Sequence, residues 1–295
     1  MPDRYAVIGH PIAHSKSPLI HGLFAQATQQ DMTYEAIDGG ADDGGFMRAL
    51  AAFRAAGGLG LNVTLPFKLQ ALAAADQASD DARLAGAANA LRFEGERIEA
   101  RNFDGIGLVR DIEVNLGLPL KGQRVLLLGA GGATRGALAR IARAGAARIV
   151  IANRTAGKAA ALAQEMAPHL PGSVVEGGGF GDLAPGDAFD IVINATAASL
   201  AGEAPAVPAS AFAAGALAYD MVYGKGLTPF LQLARAAGAA RVADGVDVKK
   251  HLRALAVKED RVVLARIKPR CPSAGLVAPD DLVHEVLRAK ELVKQ

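Results

Sequence analysis

One short segment, Asn62-Val63-Thr64-Leu65-Pro66-Phe67-Lys68, carries side chains that can bind a polar ligand and move a proton. The alternation of a strand places Asn62 and Thr64 on the same side, and Lys68 stands where the next helix opens. A cation at a helix N-terminus opposes the helix dipole, an arrangement that favours proton transfer near neutral pH. The segment indicates an acid/base site, and the alternative is that Lys68 is an exposed surface lysine.

Three further segments place hydrogen-bonding groups next to predicted helices. Ser15 and Ser17 lie just ahead of a helix start and could both donate to one carboxylate, unless one of them only caps the helix. Asn89 ends a run of small residues, and Asp104 precedes a helix predicted from Gly105, where it could be an N-cap. Taken singly, each segment leaves both interpretations open.

A glycine-rich turn indicates a nucleotide site. The apolar run Arg124–Leu128 is typical of a strand buried on both faces of a parallel sheet, and a helix is predicted from about Ala133. Glycines between them remove side chains that would keep a pyrophosphate from the backbone, while the helix N-terminus attracts it. The residues expected to bind the cofactor here are Gly129, Ala130, Gly131, Gly132 and Ala133.

The next strand indicates which nucleotide is bound. An NAD-preferring site places an acid at the end of the second strand, against the ribose 2′-hydroxyl. After Arg148–Ala152 this chain has Asn153, Arg154 and Thr155, followed by Lys158. A guanidinium can pair with a 2′-phosphate, so the cofactor is predicted to be NADP(H). The alternative is a solvated basic turn.

The whole-chain composition is typical of a globular enzyme. The 295 residues are 51% hydrophobic and 21% charged, with a net charge of +2 and no basic block, so neither a nucleic-acid nor a membrane partner is expected. The N-terminus has no signal-peptide pattern, which predicts a cytoplasmic protein. A lone cysteine, Cys271, excludes an internal disulfide and a multi-cysteine metal site, and no metal is expected.

Strands and helices alternate along the chain, which predicts two α/β domains. Residues 1–104 form the first, and residues 105–245 a Rossmann-type doubly wound domain, reached through a helix over about 105–116. A helical segment, 246–295, follows; whether it packs back on the first domain is left open. Loops are predicted at Gly177–Gly179 and Gly202–Pro208.

Together and in this order, the motifs resemble those of the shikimate dehydrogenase family, NADP-dependent oxidoreductases of aromatic amino-acid and chorismate biosynthesis. The resemblance covers about residues 4–245 and rests on GHPIAHSKSPLIH, LNVTLPFK, LAGAANAL, NFDGIGL, LLLGAGGATRGAL, ANRTAGKA, INAT and YDMVYGKGLTPFL. It implies reversible reduction of 3-dehydroshikimate to shikimate, without a metal, by a monomer or homodimer.

The resemblance also implies a role for each matching residue. Lys68 and Asp104 would be the catalytic pair, and Ser15 and Ser17 would hold the substrate carboxylate. Substrate hydroxyls would be bound by Asn62, Thr64, Asn89 and Asp104. The nicotinamide side of the interdomain cleft would be lined by Thr196, Met221, Tyr223 and Gly245, with Tyr223 also reaching the substrate.

The sequence departs from the family pattern in two places. Phe103 stands where the family has threonine, which removes one hydroxyl. After Gly245 the family continues with a small apolar helix carrying a glutamine that reaches a substrate hydroxyl. Counting forward places Leu252 at that position, and the neighbouring Lys249–Arg261 is charged. We expect weak shikimate affinity or low turnover from this change.

The sequence also allows two other functions. One is a quinate/shikimate dehydrogenase that accepts quinate or NAD, although Arg154 and Lys158 argue against NAD. The other is a non-catalytic NADP(H)-binding regulatory protein, which would have no need of Lys68 and Asp104.

Overall fold

The computed structural model describes residues 1–184, 186–222 and 227–244. These residues fall into two compact units: Met1–Phe67 with Arg92–Glu96, and Lys68–Leu91 with the described residues from Arg97 onward. The predicted tail over residues 246–295, including Leu252, and the predicted site residues Tyr223 and Gly245 lie outside the described residues. Among those that are described, no helix has the length and apolar character needed to span a membrane.

The first part of the chain alternates strands with helices, as its sequence predicts. In order it forms β1 (Asp3–Gly9), α1 (Ser17–Thr28), β2 (Met32–Asp38), α2 (Gly45–Ala55), β3 (Gly58–Val63), α3 (Lys68–Ala73), β4 (Gln77–Ala78), α4 (Asp80–Ala85), β5 (Ala90–Glu94), β6 (Arg97–Arg101) and α5 (Asp104–Arg110).

The first unit is built on three parallel strands in the order β2-β1-β3. Strand β1 is central, and its consecutive residues Ala6, Val7 and Ile8 are all buried, so both faces of the sheet are covered at this strand. Helix α2 contributes Phe46, Leu50 and Phe53 to the core, at helical spacing.

In the second unit, α5 runs on without a break into a π-helical turn, Asp111–Asn115. The two segments together cover the helix predicted over about 105–116. Asp111 is fully buried in this turn and accepts a hydrogen bond from Tyr219 Oη at 2.8 Å. The pair fastens the turn to the sheet that follows.

The rest of the second unit is a doubly wound parallel sheet. Its elements are β7 (Arg124–Leu128), α6 (Gly132–Arg143), β8 (Arg148–Asn153), α7 (Ala156–Met166), β9 (Val174–Gly179), β10 (Phe189–Asn194), β11 (Phe212–Asp220), α8 (Pro229–Ala236) and β12 (Arg241–Asp244). The strand order is β9-β8-β7-β10-β11-β12. Counted from β7 this is 3-2-1-4-5-6, the order of the dinucleotide-binding fold, so the predicted Rossmann-type domain is confirmed.

Alternate residues of the central strands face two separate cores. Val125 and Leu127 of β7 pack with α5, α6 and α7, whereas Leu126 and Leu128 pack on the side of α8. Helices therefore cover both faces, which explains why these strands read as unbroken apolar runs. At the solvent end of the sheet, Asp190 of β10 accepts from the backbone and guanidinium of Arg124, at 2.9 and 2.8 Å.

One predicted loop is wrong. Gly177–Gly179 are part of β9, paired in parallel with Ile151–Asn153 of β8. Glycine is required there for close approach and not for a turn: a Cβ at Gly177 would lie 2.2 Å from the carbonyl oxygen of Ala159 in α7. Gly202–Pro208 does form a loop, as predicted.

Candidate active site

An ion pair joins the two residues predicted to perform catalysis. Lys68 Nζ donates to Asp104 Oδ2 at 2.6 Å, and the side chains are 28% and 31% exposed. The pair is therefore reachable from solvent but largely enclosed, which strengthens its electrostatic attraction relative to a surface pair. It can hold a proton-donating ammonium in a fixed position.

Backbone contacts set this geometry on both sides. Lys68 is the first residue of α3, and its carbonyl accepts from Ala88 N at 2.9 Å. Asp104 is the first residue of α5; the N-cap position belongs to Phe103, so Asp104 does not act as the N-cap. Asn102, which is buried, accepts from Asp104 N at 3.0 Å and donates to Ala87 O at 3.0 Å.

Asn89 orients the aspartate. Its Nδ2 donates to Asp104 Oδ1 at 2.8 Å, and its Oδ1 accepts from Phe103 N at 3.0 Å. The amide oxygen is thus used within the protein, and one N–H of Nδ2 is left for a ligand. The structure brings Lys68, Asn89 and Asp104 into one cluster.

The serine pair lies in the first unit. Lys16 occupies the N-cap position of α1, without a side-chain capping bond, so neither Ser15 nor Ser17 is the N-cap. Ser15 Oγ accepts from Ser17 N at 3.3 Å. A hydroxyl that accepts still has its own proton to donate, so both serines retain a donor for an anionic ligand.

Asn62 and Thr64 also lie in the first unit, at the carboxyl end of β3. Asn62 Oδ1 accepts from Tyr34 Oη at 2.6 Å. Thr64 continues the strand pairing through its N–H, which donates to Ile8 O at 2.9 Å. Its methyl group fills the space above Gly9, where a Cβ would lie 2.5 Å from Thr64 Cγ2.

The turn after β7 has the shape that a dinucleotide needs. Gly129 has φ +102°, which only glycine adopts readily, and a Cβ there would lie 2.9 Å from Thr196 Cγ2. At Gly131 and Gly132, in contrast, a Cβ would meet nothing within 4 Å. These residues and Ala133 are exposed at the N-terminus of the 12-residue helix α6. The residues present therefore fit a pyrophosphate.

The basic turn after β8 is open as well. Asn153 Nδ2 donates to Thr155 O at 3.0 Å, and Thr155 is the N-cap of α7 without a side-chain capping bond. Arg154 and Lys158 are exposed, and within the described ranges neither has a carboxylate partner. Two free cations beside a helix N-terminus fit a 2′-phosphate.

A buried carboxylate connects the carboxyl ends of β10 and β11. Asp220 is fully buried and accepts from Ser199 Oγ at 2.7 Å, Thr228 Oγ1 at 2.6 Å and Val222 N at 3.0 Å. It also accepts from Asn194 Nδ2 at 3.1 Å. The ends of β10 and β11 and the start of α8 are tied to one side chain.

Two predicted cofactor residues are hydrogen-bonded to Asn194, which belongs to this network. Thr196 donates through Oγ1 to Asn194 Oδ1 at 2.7 Å, and Met221 N donates to Asn194 O at 3.0 Å. Asn194 ends β10, the strand beside β7 where the strand order reverses and where ligands bind in such sheets.

Sequence reasoning gave no role to Tyr34, Asn102 or Asp220. Asn102 had a detectable signal, because an Asn two residues before a helix-starting Asp commonly bonds its backbone N–H. Tyr34 had none, since its partner is 28 residues away.

The chain matches two protein-family models. The shikimate dehydrogenase substrate binding domain matches residues 7–91, and shikimate / quinate 5-dehydrogenase matches residues 112–202. A shikimate dehydrogenase (NADP(+)) of Dechloromonas aromatica (strain RCB) is 54% identical over 246 residues, 83% of this chain and 88% of the relative.

Two solved structures are similar over nearly the whole chain. An Ael1 enzyme from Pseudomonas putida is 50% identical, with a TM-score of 0.79 and coverage of 96% of this chain and 97% of that one. Shikimate 5-dehydrogenase from Thermus thermophilus, in complex with NADP(H) and shikimate, is 31% identical, with a TM-score of 0.75 and coverage of 97% and 99%.

Proposed function

This chain belongs to the shikimate dehydrogenase family, and from that premise we propose that Lys68 and Asp104 are its catalytic pair. The protein is an NADP-dependent oxidoreductase that interconverts 3-dehydroshikimate and shikimate. The observation that carries the residue assignment is the 2.6 Å bond from Lys68 Nζ to Asp104 Oδ2, with Asn89 on the other carboxylate oxygen.

The pair suits proton transfer at the reacting oxygen. When bound, NADPH supplies a hydride to the ketone carbon. The Lys68 ammonium is positioned to donate a proton to the oxygen as negative charge develops on it. Asp104 orients Lys68 and balances its charge, and Asn89 keeps Asp104 in place. In the reverse direction Lys68 accepts the hydroxyl proton.

The remaining substrate contacts are assigned by chemistry. The hydroxyls of Ser15 and Ser17 donate to the substrate carboxylate, since neither is used as an N-cap. Asn62, Thr64, Asn89 and Asp104 bind ring hydroxyls. Tyr223 is assigned to the substrate from its motif alone.

The cofactor contacts follow the glycine turn and the basic turn. Gly129, Ala130, Gly131, Gly132 and Ala133 receive the pyrophosphate, and Asn153, Arg154, Thr155 and Lys158 the 2′-phosphate. Thr196, Met221 and Gly245 are proposed for the nicotinamide end. Support comes from the open space at Gly131 and Gly132 and from the free cations at Arg154 and Lys158.

The activity is tested by following absorbance at the NADPH band in three reactions of the full chain. We expect NADPH oxidation with 3-dehydroshikimate and NADP⁺ reduction with shikimate, and the third reaction shows whether quinate is accepted as well. The same shikimate reaction with NAD⁺ should be much slower. Turnover confined to quinate, or to NAD⁺, would overturn the assignment.

The proposal also covers the domain boundaries, the location and the oligomeric state of the protein. The proposed domain boundary near residue 104 is supported by the family matches, which separate residues 7–91 from 112–202, and the boundary near residue 245 is proposed from the motifs alone. A cytoplasmic location stays a prediction from the sequence, and a monomer or homodimer is supported by the resemblance. Light scattering of the purified chain would determine the oligomeric state, and a tetramer would contradict the proposed monomer or homodimer.

A further inference from the structure

A tyrosine reaches across the central strand of the first unit to one of the proposed substrate residues. Tyr34 lies on β2 and Asn62 on β3, with β1 between them. Tyr34 is in register with Tyr5, and Asn62 with Val7, two residues further along β1. Residues two apart along a strand share a face, so the phenol lies on the side of the sheet that carries the Asn62 amide.

The phenol ring is held in place from the other side by α1. The imidazole of His21 stacks on it, with ring centroids 4.1 Å apart and an interplanar angle of 1°. Burial lowers the pKa of His21 to about 4, so the stacked imidazole is neutral at physiological pH. The ring of Tyr34 is therefore confined, and its hydroxyl points to a fixed place.

The direction of the hydrogen bond between Tyr34 and Asn62 determines which group of the Asn62 amide is available to a ligand. Tyr34 Oη donates its single proton to Asn62 Oδ1 at 2.6 Å. A side-chain amide has an oxygen with two lone pairs and a nitrogen with two protons, and here Tyr34 engages one of the lone pairs and fixes which end of the amide is which. The group that Asn62 chiefly presents to a ligand is therefore the Nδ2 donor.

We propose that Tyr34 is a positioning residue that fixes the Asn62 amide so that its Nδ2 faces the substrate and favours a hydrogen-bond acceptor there. This rests on the proposed role of Asn62 in binding a ring hydroxyl. A hydroxyl oxygen can accept from Nδ2, whereas a protonated amino group in its place has no lone pair and is disfavoured. Without Tyr34 the amide can turn over and present Oδ1, so part of the discrimination is lost.

The test is a double-mutant cycle of Tyr34→Phe and Asn62→Ala, read by equilibrium binding of shikimate to the cofactor-free protein. Tyr34→Phe should weaken binding about five- to tenfold, the value of one hydrogen bond, and leave the Kd for NADP⁺ unchanged. In the Asn62→Ala background the same change should have less than about a twofold effect, because the bond is already absent. Tyr219→Phe is the matched control, because it removes a buried phenol bond in the other unit and should not alter shikimate binding.

A second readout separates positioning from general support of the fold. The ligands are shikimate analogues in which one ring hydroxyl is replaced by a protonated amino group. For the analogue altered at the Asn62 contact, the affinity relative to that of shikimate should be higher in Tyr34→Phe than in the wild type. An unchanged ratio, or a Tyr34→Phe effect that persists without Asn62, overturns the proposal while the enzymatic function stands. If the wild-type chain neither binds nor oxidises shikimate, the proposed function fails and this inference fails with it.

Discussion

At the scale of single residues, the ion pair of Lys68 with Asp104 makes the most direct prediction. Lys68→Ala removes the group placed to transfer the proton, so kcat should fall about 10²–10⁴-fold while the Kd for shikimate changes only a few-fold. Steady-state kinetics and equilibrium binding measure the two quantities. Lys121→Ala, an exposed lysine elsewhere in the same unit, is the control and should keep wild-type kcat. A Lys68→Ala enzyme with normal kcat would remove Lys68 from the chemistry.

At the same scale, we predict that Arg154 determines the preference for NADP⁺ over NAD⁺. A charged hydrogen bond to the 2′-phosphate contributes about 1.5–3 kcal/mol, so Arg154→Ala should weaken NADP⁺ binding about ten- to a hundredfold and leave NAD⁺ binding nearly unchanged. Fluorescence titration with both nucleotides gives the ratio. Arg235→Ala, an exposed arginine on α8, should leave it unaltered. An equal loss of affinity for both nucleotides would mean that Arg154 does not bind the 2′-phosphate.

The contact between Lys68 and Asp104 was predictable from the family resemblance, which pairs the two residues. Its support was less so. The bond from Asn89 to Asp104 spans 15 residues and that from Tyr34 to Asn62 spans 28. Such contacts depend on how strands are brought side by side, which no local pattern specifies.

At the scale of elements, close packing of β9 on α7 predicts a marked cost for Gly177→Ala. The new Cβ would lie 2.2 Å from the Ala159 carbonyl oxygen, a backbone atom that cannot rotate away, so we expect destabilisation of about 1–3 kcal/mol. Gly157→Ala on α7 is the control: nothing lies within 4 Å, and alanine should be neutral or stabilising by up to about 1 kcal/mol. Urea unfolding measures both. A neutral Gly177→Ala would show that the two elements can separate at little cost.

The contact between α1 and β2 predicts a pH-dependent stability. Burial lowers the pKa of His21 from 6.5 to about 4, so between these values the unfolded chain binds a proton that the folded chain does not. The stability contribution is present above pH 6.5 and is lost as the pH falls towards 4, amounting to about 2 kcal/mol by pH 5. His21→Phe keeps an aromatic ring against Tyr34 but cannot titrate. The difference in unfolding free energy between wild type and His21→Phe should therefore change between about pH 7 and pH 5, and a constant difference would contradict the buried, neutral imidazole.

Elements with strong apolar periodicity were predictable, and elements set by their neighbours were not. Strand β7 was identified from its apolar run, because burial on both faces leaves that signature. The glycines of β9 have the composition of a loop and are a strand only because β8 and α7 lie against them. The two-residue strand β4 is likewise defined by its pairing with β6.

At the scale of the whole molecule, the doubly wound sheet was predictable from the alternation of strands and helices, and the predicted tail over residues 246–295 lies outside the described residues. Family membership predicts a glutamine where the sequence has Leu252. Leu252→Gln should strengthen shikimate binding, by up to about 1–3 kcal/mol if it restores a missing hydrogen bond, and leave NADP⁺ binding unchanged. Calorimetric titration compares the two proteins. Ordinary shikimate affinity in the wild type, with no gain from the substitution, would show that the site is closed in another way.

The strand order of the second unit also bears on how the chain folds as it is made. Strands β7, β8 and β9 are neighbours in sequence and in the sheet, so they can associate early. The partner of β7 on its other side is β10, and the Arg124–Asp190 bonds across that pair join residues 66 apart. At about 5–20 residues per second, translation takes about 3–13 s to cover that interval. The edge of β7 that later forms the centre of the sheet is unpaired for that time, so an apolar strand edge is exposed to misassembly during synthesis.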